Sequence, residues 1–69
     1  MKTKLKSEEL DIILTRRNIE RGKLAEDIGI SPVFLSQIIG GHQVGPKTRE
    51  KLMQYLNCDF DDLFLIITG

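Results

Sequence analysis

The stretch from Arg21 to Ile39 constrains this chain more than any other. Leu24, Ala25 and Ile28 recur at helical spacing, and the pattern stops at Gly29. A glycine just after a helix supplies the positive φ that a side chain resists. Ser31-Pro32 then opens a second helix, as cap and first helical residue. Phe34 or Leu35, followed by Ile38 and Ile39, forms its apolar stripe up to Gly40-Gly41. Two short helices joined by a short turn containing glycine make a helix-turn-helix. Ala25 must be small there, because the helix that carries it packs close to its neighbour.

The remaining chain reads as further short helices. Ser7, Glu8 and Glu9 form an N-terminal signature, an oxygen cap followed by acids in the first turn. Leu10, Ile13, Leu14 and Arg17 then predict a helix over about Ser7–Asn18. Residues 40–45 hold three glycines and no periodicity, so they form a loop. Pro46 starts the next helix, with Leu52, Tyr55 and Leu56 inward and Asn57 at its end. Asp59 caps a fifth helix, Phe60–Ile66, with Asp61 and Asp62 in its first turn. No strand shows convincing alternation, although residues 64–68 have strand-like composition. The reading is all-α: a small five-helix bundle in one domain, residues 1–69, with residues 1–6 as a flexible arm and residues 60–69 as terminal helix and tail.

Composition narrows the classes of function. A chain of 69 residues has room for one domain and a thin margin of stability. One cysteine and one histidine make neither an internal disulfide nor a structural zinc site, so no metal and no cofactor are expected. No apolar run reaches a membrane span, so a cytoplasmic location is expected. Ten basic residues balance ten acidic ones. That zero is unevenly spread: residues 1–23 carry +3, 24–39 carry −2, 40–51 carry +2 and 52–69 carry −3. The bland explanation is ordinary surface charge, and the sharper one is a basic face and an acidic end on one body.

The stretch "KLAEDIGISPVFLSQIIGG" resembles the helix-turn-helix core of the Cro/CI-type repressor family, also called the XRE family. The stretch "YLNCDFDDLF" resembles that family's closing segment, and the likeness spans roughly residues 7–66. It implies a lambda-repressor-like DNA-binding domain that binds double-stranded operator DNA as a symmetric dimer. It also implies the base-reading positions Pro32, Val33, Ser36 and Gln37 at the start of the third helix. Gln37 has a carboxamide that can pair both ways with adenine, and Val33 can pack on a thymine methyl. Phosphate contacts carried over from the family fall on Arg21, Lys23, Ser31, Gly41, His42, Gln43, Lys47, Thr48 and Arg49. The guanidinium of Arg21 suits a phosphate oxygen pair.

The chain also departs from the family's pattern. Glu20 stands where a Ser or Thr cap is usual. Leu14 and Ile39 replace an arginine–acid pair, and the alignment predicts that these two side chains touch.

Six large apolar residues crowd the terminus: Phe60, Leu63, Phe64, Leu65, Ile66 and Ile67. One helix face buries three or four, so Phe64, Leu65, Ile66 and Ile67 are expected at a homodimer interface. The alternative is that they fold back and finish the core. Two functional classes remain. One is a sequence-specific regulator, a repressor or genetic-switch protein of the phage or mobile-element type. The other is a modulator, an anti-repressor or antitoxin, that keeps the fold but binds another regulator protein. An enzyme with a small-molecule substrate is not expected, since there is neither a paired-carboxylate site in a plausible pocket nor a phosphate-binding glycine loop.

Overall fold

A computed structural model describes residues 1–68 of the chain. The elements run β1 (Lys2–Leu5), α1 (Ser7–Arg17), α2 (Arg21–Ile28), α3 (Pro32–Ile39), α4 (Pro46–Leu56), α5 (Phe60–Leu63) and β2 (Phe64–Ile67). The five helices stand in the expected order, and a small antiparallel sheet is added to them.

Each helix ends for a local reason. Gly29 takes φ +78° after α2, and its N–H returns to the carbonyls of Ala25 and Glu26. Asn18 and Asn57 close α1 and α4 in the same left-handed region, which asparagine tolerates better than most residues. The Ser31 hydroxyl accepts the Phe34 N–H at 3.0 Å and caps α3. Glu20 makes no such side-chain bond at the start of α2.

The core gathers Leu10 and Leu14 from α1, Leu24, Ala25 and Ile28 from α2, and Leu35 and Ile38 from α3. Leu52 and Leu56 of α4 and Leu63 of α5 complete the helical part. Ala25 is fully buried, as close packing of α2 demands. Leu35 is the inward residue of its pair with Phe34. Ile39 is half-buried and packs against the same core that holds Leu14. Cys58 packs half-buried at the core's rim.

The two ends of the described chain depart from expectation. Residues 1–6 are not a loose arm: Lys2–Leu5 pair with Phe64–Ile67, with Lys2 opposite Ile67 and Leu5 opposite Phe64. Leu5 needs burial and finds it in the core. The fifth helix stops at Leu63 rather than Ile66. The neighbouring β-branched Ile66 and Ile67 fit a pleated strand better than a helix. Phe64, expected at a dimer interface, is instead 1% exposed and sits in the core. Its ring centroid lies 5.5 Å from that of Phe60. Folding back thus accounts for part of the terminal surplus, while Leu65 and Ile66 stay exposed and Ile67 half-exposed.

Candidate nucleic-acid interface

Helix α3 has two opposed faces. Leu35 and Ile38 are buried and fix its rotation against the body. Pro32, Val33, Ser36 and Gln37 are exposed on the other side, with Val33 68% exposed. Phe34 is partly exposed beside them. A helix held this way presents a short polar and apolar row, of the kind that enters a major groove.

Two hydrogen bonds from distant elements, one from a side chain and one between backbones, hold the end of α3 and the loop after it. The Ser7 hydroxyl does not cap its own helix but donates to the Ile39 carbonyl at 2.6 Å, tying α1 to the end of α3. The loop after α3 is tied to β1, where the Val44 N–H donates to the Thr3 carbonyl at 2.8 Å. Val44 is itself buried. Gly41 takes φ +109°, a value that favours glycine. The N–H groups of Gly40, Gly41 and His42 all return to carbonyls of α3, so the loop offers side chains here rather than these amides.

The candidate phosphate contacts divide into three groups. Ser31, His42, Gln43 and Lys47 are exposed, while Gly41 and Thr48 are half-exposed around the loop and the start of α4. Lys47 forms no ion pair among the described residues. Arg21 and Lys23 are exposed but already paired. Arg21 reaches Asp11 of α1 at 2.9 and 3.1 Å, and Lys23 reaches Asp27 one turn on at 3.1 Å.

Arg49 departs from its expected place. Its Nη1 donates to Thr3 Oγ1 at 2.9 Å and to the Val44 carbonyl at 3.2 Å, and its guanidinium lies over the Phe60 ring at 5.9 Å. Arg49 is a strut joining α4, the loop, β1 and α5. Its charge still adds to the local field, but its Nη1 donors are committed inside the protein.

Sequence reasoning missed Thr3, Ser7, Asp11 and Tyr55 as organisers of this face. Their partners stand far along the chain, as with Thr3 and Arg49, so no local spacing announces them.

Asp27 forms the centre of a small surface cluster. It accepts from the Tyr55 hydroxyl and pairs with Lys23. The Tyr55 hydrogen bond, then the Lys23 contact, hold its carboxyl below the ordinary carboxylate range. The same Asp27 raises the pKa of Tyr55 and of Lys23, in each case first through the hydrogen bond. A depressed carboxylate stabilises the fold above its unfolded value of about 3.9 and loses that contribution as pH falls through the folded value. The raised Tyr55 contributes below its unfolded value of about 10 and loses its share as pH rises through the folded one. Asp27→Asn should therefore lower stability at pH 7 and have little effect near pH 2. Urea unfolding of both proteins at the two pH values checks this; a gap that widens in acid would be the contrary result.

An apolar-anchored third helix following a glycine turn, with an exposed loop and cations beside it, defines a helix-turn-helix DNA-binding domain. Residues 9–69 match the Cro/C1-type HTH DNA-binding domain, and the chain belongs to that family. No curated protein matches it. Among solved structures it is similar to the crystal structure of the transcriptional regulator VanUg, Form II, with a TM-score of 0.78 and 23% identity. That likeness covers 100% of this chain and 92% of the other, and it shows a shared fold. No helix among the described residues is long and apolar enough to cross a membrane.

Proposed function

We propose that this protein is a sequence-specific transcriptional regulator that binds a palindromic operator as a dimer, in the manner of a repressor or genetic-switch protein. The observation that carries this reading is the exposed row Val33, Ser36 and Gln37 on a helix pinned by Leu35 and Ile38. Gln37 reads adenine through its carboxamide, Val33 meets a thymine methyl, and Ser36 serves a base edge or a phosphate. Ser31, His42, Gln43, Lys47 and Thr48 set the helix in register through the DNA backbone. The regulatory role of VanUg, a protein of the same fold, agrees with this reading.

Selection of bound duplexes from a random pool tests it, since a regulator enriches one motif with two-fold symmetry. Gln37→Ala should cost about 1–3 kcal/mol at one base position and relax the preference there. Lys47→Ala should weaken all duplexes alike. No enrichment, or equal enrichment by the Gln37→Ala protein, contradicts the docking.

A second reading is a modulator that binds another regulator. The pairing of Arg21 with Asp11 and of Lys23 with Asp27 favours it, because both neutralise cations that phosphate would otherwise meet. Such a protein would enrich no duplex.

A further inference from the structure

On the helices, the large apolar side chains left exposed among the described residues are Ile12, Val33 and Phe34. Ile12 stands alone on α1, whereas Val33 and Phe34 are neighbours in the first turn of α3. A single exposed apolar residue is ordinary, but an adjoining pair on a candidate interface asks for a partner. Phe34 is 38% exposed and belongs neither to the core nor to the side chains packed around it. Its ring stacks on no other aromatic ring among the described residues.

The backbone beneath the pair is stiff. The Ser31 hydroxyl takes the Phe34 N–H at 3.0 Å, the Ser31 carbonyl takes the Leu35 N–H at 3.0 Å, and the Pro32 ring fixes its own φ. Gln37 follows Val33 by four positions and Phe34 by three, so both apolar side chains border its carboxamide on the helix surface.

The surroundings of the pair select duplex DNA as what covers it. Helix α3 carries no charged residue, so nothing on it repels phosphate, and the exposed Lys47 beyond the next loop has no ion pair among the described residues. The apolar group that projects into a major groove is the C5-methyl of thymine, and the other edge groups there are donors and acceptors. A phenyl ring and an isopropyl group do neither. They cannot tell the O4 carbonyl of thymine from the N4 amine of cytosine, and they respond to whether a methyl is present. Cytosine methylated at C5 carries the same group at the same ring position.

We propose that Phe34 is a base-reading residue and that, with Val33, it forms an apolar surface for pyrimidine C5-methyl groups beside the base pair held by Gln37, so that 5-methylcytosine serves there as well as thymine. The proposal rests on the proposed regulatory reading and adds to it a response to cytosine methylation. A plain cytosine at such a position makes a poor site, and its methylation turns it into a good one.

Selection from three random duplex pools tests this: one of ordinary bases, one with uracil replacing thymine, and one with 5-methylcytosine replacing cytosine. The ordinary pool should enrich thymine beside the adenine whose preference Gln37→Ala relaxes. The uracil pool should keep that adenine and lose the neighbouring preference, and the methylcytosine pool should accept either pyrimidine. By fluorescence anisotropy on the enriched duplex, each change of thymine to uracil should weaken binding about fourfold, the effect of burying one methyl. A 5-methylcytosine–guanine pair should restore the affinity where a plain cytosine–guanine pair does not. In Phe34→Ala the ratio of thymine to uracil affinity should fall to one at the position that Phe34 reads. A merely structural role would weaken both duplexes and preserve the ratio, and the wild-type pools decide the question if that variant does not fold. An unchanged ratio in Phe34→Ala, or full wild-type affinity for the uracil duplex, overturns the methyl reading and leaves the regulatory reading standing. No enrichment from any pool overturns both and leaves the exposed pair to a protein partner.

Discussion

Phe64→Ala is expected to leave the domain at or beyond the edge of folding. The ring is 1% exposed, lies against Phe60 and stands opposite the buried Leu5. Truncating a buried phenylalanine costs about 3–5 kcal/mol. Whole domains are stable by about 5–15 kcal/mol, and a chain this short belongs near the lower end. The neighbouring Leu65→Ala should cost far less, under about 1 kcal/mol, because Leu65 is exposed in the monomer. Urea unfolding followed by circular dichroism compares the two, at concentrations low enough to keep the protein monomeric. A larger loss for Leu65 than for Phe64 would mean that β2 presents its other face to the core.

Duplex affinity is expected to fall about a thousandfold between 50 and 200 mM salt if Arg21, Lys23 and Lys47 all meet phosphate in a dimer, which makes about six contacts. The slope of log K on log salt would then be near −5. The structure sharpens this, because Arg21 and Lys23 already hold Asp11 and Asp27. Both pairs are exposed ion pairs, worth little in themselves, so phosphate can compete for the cations. If the carboxylates keep them, the two Lys47 side chains alone give a slope near −2. Asp11→Asn should then steepen the slope and tighten all duplexes. Fluorescence anisotropy at several salt concentrations measures it, and a slope of zero would count against phosphate contact at this face.

The helical part of the fold was readable because its determinants are local. Gly29 ends α2, Ser31-Pro32 starts α3, and Asn57 stops α4, each by chemistry confined to a few neighbouring residues. The division of α3 into buried Leu35 and Ile38 and exposed Ser36 and Gln37 follows from the same short period. The sheet was not readable, because β1 and β2 lie almost a chain length apart and neither alternates cleanly. Lys2-Thr3-Lys4-Leu5 looked like a solvated arm because its one apolar residue could not name its partner. The internal partners of Arg49 were hidden for a related reason. Its position suited a phosphate, but Thr3 and Phe60 reach it from both ends of the chain. The ion pairs of Arg21 and Lys23 differ in kind. Lys23–Asp27 has the helical spacing that sequence can show, whereas Arg21–Asp11 spans two helices.

The sheet also sets an order of completion. The loop beside α3 is held by Thr3, and the strand carrying Thr3 is held by β2. Contacts that close so long a stretch of chain form late, after the local helices. During synthesis the helix pair can therefore assemble while the loop proposed to meet the DNA backbone still lacks its support. Only when Phe64–Ile67 have emerged does the last strand lock the first, and the first lock the loop. On the proposed reading, a copy whose β2 has not yet paired carries α3 without a supported loop beside it, so it would bind duplex DNA more weakly than one whose sheet has formed.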